Sequence, residues 1–75
     1  EEYQALRAIL REARLGARVT QQQLAERLGK PQSYVAKVEG GERRIDVIEF
    51  IALANAIGIE PAELFKKSMK EIAPL

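Results

Sequence analysis

Apolar residues recur along the chain at helical spacing. Leu6, Leu10, Ala13 and Ala17 follow one another at steps of three and four with Tyr3 and Ile9 alongside, so a first helix is expected over residues 2–17, that stripe turned inward. Acids at Glu1 and Glu2 and arginines at Arg11 and Arg14 suit its two ends electrostatically. Leu24, Ala25 and Leu28 form a second stripe. Thr20 precedes it with Gln23 three positions on, the reciprocal pairing of a capping box, and Gly29 follows, able to take the left-handed conformation that closes a helix. A second helix is therefore expected over residues 21–28. Pro31 suits the start of a third over residues 32–39, either as its first residue or just before it. Asp46 with Glu49 repeats the capping box and opens a fourth over residues 47–57. There Ile48, Ile51 and the run from Leu53 to Ile57 are expected to make the central core helix. Pro61 opens a fifth over residues 61–72, with Leu64 pointing inward.

The third helix departs from this economy. Val35 and Val38 give it a narrow apolar edge, and Gln32, Ser33, Tyr34 and Lys37 leave it an amide, a hydroxyl, a phenol and an amine to place elsewhere. Those groups stabilise a helix poorly but match what base edges and phosphates present in a major groove. Gln can pair twice with adenine, Ser can bond several bases and Lys reaches guanine, while Tyr34 serves either a thymine methyl or phosphate or folds onto a neighbouring surface. Gly40 and Gly41 end this helix, and Arg43 and Arg44 just beyond are placed to grip the sugar-phosphate backbone, as is Lys30 in the turn before it. Gln21 lies in the first turn of the second helix, where free N–H groups favour an anion.

The segments TQQQLAERLG, PQSYVAKVEGGERR and LANAIGIEPAELF, read together, resemble the phage-repressor and Cro type of helix-turn-helix domain, the XRE family, from about Leu6 to Phe65. The resemblance implies an all-α, compact five-helix lambda-repressor-like DNA-binding domain whose helix-turn-helix is formed by helices two and three, and it places one domain over residues 1–75. It further implies base contacts from Gln32, Ser33 and Lys37, a phosphate held by Gln21 that also braces Gln32, and a salt bridge from Arg14 to Glu39. Members of the family commonly have Gly where this chain has Arg18, with Gly16 two residues earlier offering a sooner turn, and Ser or Thr where it has Lys30 and Pro31. They usually pair through the C-terminal region. Here Pro61, Phe65, Met69 and Ile72 offer a stripe beyond what a core of this size needs, which is either cover for Tyr3 and the first helix or the surface of a homodimer. A dimer reads a palindromic operator, because one short helix spans only a few base pairs.

Composition sharpens this reading. At 75 residues, 47% hydrophobic and 31% charged, the chain is one small globular domain with no apolar run long enough to cross a membrane. It has neither Cys nor His, which removes disulfides, thiolate metal sites and the commonest general base, and no enzyme or cofactor is expected. A cytoplasmic location follows as the expectation. The chain starts at Glu1 without Met or an apolar leader, as a piece of a longer protein would. Net charge is +1, but residues 18–44 carry six basic and three acidic side chains against three and five from residue 45 onward. Positive charge thus gathers on the helix-turn-helix. The function expected is sequence-specific binding of double-stranded DNA as a transcriptional regulator, a repressor above an activator. The second reading is a protein-interaction module, an antitoxin or adaptor, on the same scaffold.

Overall fold

Local capping decides where the second and fourth helices begin. The Thr20 hydroxyl accepts the Gln23 N–H at 3.0 Å while the Gln23 side chain accepts the Thr20 N–H at 2.9 Å, and Asp46 and Glu49 repeat the exchange at 2.8 and 3.0 Å. Each box satisfies two backbone donors that a helix start leaves unpaired. The computed structural model describes residues 2–72, in five helices: α1 (Glu2–Gly16), α2 (Gln21–Leu28), α3 (Gln32–Gly40), α4 (Val47–Ile57) and α5 (Pro61–Glu71). No strand occurs among the described residues. The acid expected to help open the first helix at Glu1 lies outside them.

At the end of α1 the chain takes the earlier of the two ends that the sequence leaves open. The helix stops at Gly16, and Arg18 turns the chain with a positive φ of 60°. Ala17 therefore falls outside the helix and is exposed, and Ile9 joins Leu10 in the core in its place. Gly41 closes α3 with φ 86°, and a Cβ there would lie 2.7 Å from the Arg7 guanidinium. The backbone favours glycine at that position, while the Arg7 side chain is long enough to move away from a Cβ.

The core gathers Ile9 and Leu10 of α1, Val19, Leu24 and Ala25, Val35 and Val38 of α3, Phe50, Leu53, Ala54 and Ile57 of α4, and Leu64 of α5. The α4 residues sit at steps of three and four, so one face of that helix is buried. Its other face corrects the expectation for Ile48 and Ile51. Both are outside the core, Ile48 with 70% of its surface exposed and Ile51 with 41%, beside an exposed Val47. A helix apolar on most sides gives little periodic signal to say which side is covered. Phe65 and Met69 of α5 are also about half exposed, and Phe65 packs edge-to-face on Phe50 with ring centroids 6.2 Å apart. Val47, Phe50, Ile51, Pro61, Ala62 and Phe65 line a shallow apolar groove where α4 and α5 meet.

Candidate nucleic-acid interface

The turn between α2 and α3 is short because Gly29 takes a left-handed conformation, and its orientation is set from behind by a buried arginine. Arg14 on α1 reaches Glu39 near the end of α3 through two hydrogen bonds, Nε at 2.6 Å and Nη2 at 2.9 Å. Its Nη1 donates to the Val19 carbonyl at 2.9 Å, in the segment leading into α2. Gln21 completes the cluster: its side-chain Nε2 donates to the same Glu39 carboxylate at 3.0 Å. One guanidinium and one carboxylate thus tie α1, the start of α2 and the end of α3 together, with side chains only 7% and 6% exposed. Charge-assisted, paired donors of this kind fix angles as well as distances. The Gln21 amide therefore goes to Glu39, not to Gln32 as the resemblance implied.

With Val35 and Val38 buried and Glu39 pinned, the opposite face of α3 is left bare. Gln32, Ser33, Ala36 and Lys37 are all exposed and lie at helical steps along one face. Pro31 occupies the capping position in an extended conformation and gives no side-chain hydrogen bond, so Gln32 is the first helical residue. This resolves the choice between Pro31 inside and Pro31 before the helix.

Tyr34 sits at the flank of this face and is half-buried. Its hydroxyl donates to Glu49 of α4 at 3.0 Å, which removes it as a free donor toward a phosphate. Arg43 donates to the same carboxylate at 2.5 Å and lies over the Tyr34 ring, 5.1 Å from its centre. Lys30 covers the ring from the other chain segment at 5.4 Å. Arg44 points differently, stacking 5.1 Å over the Tyr3 ring, whose hydroxyl accepts the Ile45 N–H at 2.6 Å. Lys37 stands exposed on the bare face.

Glu49 is the most perturbed group here. The Asp46 N–H, the Arg43 guanidinium and the Tyr34 hydroxyl, in that order, hold its carboxyl at about 2 against an ordinary 4.5. Burial, and then the hydrogen bond to Glu49, push the Tyr34 phenol up, so it stays protonated. Sequence reasoning saw Glu49 only as a capping partner and Tyr3 only as an edge of the first helix. No local signal marked the further contacts, because Tyr34 and Tyr3 lie 15 and 42 positions from their partners.

Comparison with known proteins bears on the fold. The helix-turn-helix family profile matches residues 10–64. No curated protein matches the sequence. Among solved structures, an XRE-family-like protein from Pseudomonas syringae pv. tomato is 51% identical, with TM-score 0.87, over 92% of this chain and 84% of that one. The restriction-modification controller protein C.AhdI from Aeromonas hydrophila is 38% identical with TM-score 0.76, over 85% and 93%. The clp gene regulator ClgR from C. glutamicum shares the fold at 24% identity, with TM-score 0.83 over 100% and 97%.

Proposed function

The chain belongs to the helix-turn-helix family of DNA-binding transcriptional regulators, the XRE type, and on that premise we propose that it represses transcription by setting α3 into the major groove of an operator. The observation that carries this reading is the bare polar face of α3, held rigid by the Arg14–Glu39 pair behind it. A rigid helix loses little freedom when it meets a groove, so its contacts convert more fully into affinity. In this reading Gln32, Ser33 and Lys37 touch base edges, each good contact contributing about 1–3 kcal/mol of discrimination. Tyr34 keeps its hydroxyl on Glu49 and reaches a thymine methyl only where Lys30 or Arg43 leaves its ring for a phosphate. Gln21, with one amide N–H on Glu39, has a second for a phosphate, and Lys30, Arg43 and Arg44 grip the backbone on either side.

A second copy completes the site. The exposed apolar side chains of Val47, Ile48 and Ile51 on α4 and of Phe65 and Met69 on α5, beside the groove that Pro61 helps to line, offer the surface on which two copies would pair. Two reader helices a helical turn apart then recognise a palindromic operator. Selecting bound duplexes from a random pool tests this: an inverted repeat with half-sites about one helical turn apart is the expected outcome. Recovery of unrelated sequences would remove the specific-repressor reading.

A further inference from the structure

Arg43 and Glu49 stand 2.5 Å apart at the edge of the bare face, and Tyr34 of α3 meets the same carboxylate. This places an acid among the cations that face the polyanion in the reading above. Its capping role does not demand that: one oxygen, Oε1, accepts the Asp46 N–H, while the other, Oε2, takes both Arg43 and Tyr34. A glutamine would serve the cap equally well.

We propose that Glu49 is a specificity-determining residue, which makes Arg43 a fixed, charge-balanced donor and so lowers attraction to DNA of any sequence while keeping the Tyr34 ring in place beside the base readers. The inference rests on the DNA-binding reading. A guanidinium has five N–H donors, and only Nη2 of Arg43 is committed to Glu49, so the remaining donors can still meet a phosphate oxygen. A free arginine on a phosphate releases a counterion, whereas a neutral pair brings position without net charge. The carboxylate also repels the backbone directly when the register is wrong, a penalty that falls equally on all non-cognate sites. Cognate sites recover it through the base contacts that the anchored Tyr34 and its helix are oriented to make.

The experiment measures binding of a random-sequence duplex and of a selected duplex over a range of salt, for the wild type, Glu49→Gln, Arg43→Gln and the double variant. In Glu49→Gln the slope of log affinity against log salt steepens by about 0.9 and affinity for random duplex rises roughly fivefold near 0.15 M salt, while the gain on the selected duplex is smaller. Arg43→Gln lowers affinity with little change of slope in the wild type, yet removes about 0.9 from the slope in the Glu49→Gln background. Wild-type slope and random-duplex affinity in Glu49→Gln, or loss of a full 0.9 on Arg43→Gln alone, overturns the role of Glu49 and leaves the DNA-binding reading standing. A wild type that shows no salt-dependent binding overturns both. Arg43 is exposed and its replacement does not touch the core, so the second criterion holds even if Glu49→Gln folds poorly.

Discussion

Arg14 and Glu39, 25 positions apart, face each other through two hydrogen bonds of 2.6 and 2.9 Å in a site almost closed to water. Removing one member strands the other charge in that site. Glu39→Ala is expected to cost about 3–5 kcal/mol, and Glu39→Gln, which still accepts one bond, less. For a domain of this size that is a fall in Tm of roughly 10 °C or more. Replacing both residues with apolar ones of similar volume should restore only part of the loss, because the Val19 carbonyl and the Gln21 amide then lose their partners. Thermal melts of the three variants check this; a Glu39→Ala protein that melts with the wild type contradicts it.

Arg18 holds a left-handed backbone that costs a side-chain-bearing residue about 1–2 kcal/mol. Arg18→Gly removes that strain, and the greater freedom of glycine in the unfolded chain offsets about 0.5–1 kcal/mol of the gain. The variant should be more stable by up to about 1 kcal/mol, read as a rise in Tm or in denaturant midpoint. A lower midpoint contradicts the strain.

Acid stability should report on Glu49. Its carboxyl is depressed, so the stabilisation it brings is complete above its ordinary 4.5 and is lost as pH falls toward about 2. Glu49→Gln cannot titrate, and its midpoint should fall less than that of the wild type across this window. Parallel curves for the two proteins would mean that the Asp46, Arg43 and Tyr34 contacts do not hold the carboxylate in solution.

The outer face of α4 gives a separate test of assembly. Ile48 and Ile51 are outside the core, so changing both to Glu should leave the helical content intact. Sedimentation should show the wild type as a dimer and the variant as a monomer, with weaker binding to a palindromic duplex. A variant that still sediments as a dimer moves the pairing surface elsewhere.

What could be read from the chain follows from how local each interaction is. The capping boxes at Thr20 and Asp46 act over three residues, and the starts of α2 and α4 are accordingly visible in the sequence. The bare face of α3 was legible because Val35 and Val38 leave its other positions without an apolar reason to be there. Ile48 and Ile51 were misplaced because α4 is apolar on most sides, and only the packing of α1, α2 and α5 against it decides which side is covered. Ala17 was misplaced because α1 ends sooner, at a turn made by an arginine instead of a glycine. The link from Glu49 to Tyr34 and Arg43 joins three segments and leaves no periodic trace.

Equilibrium binding of a labelled duplex, recovered by selection, across a salt series tests the central claim most directly. If α3 and its flanking cations meet DNA, log affinity falls linearly with log salt, by about 0.9 for each phosphate neutralised, and Gln32→Ala narrows the gap between selected and scrambled duplex by about 1–3 kcal/mol without altering that slope. A flat salt dependence, or a Gln32→Ala protein that discriminates as well as the wild type, would contradict it.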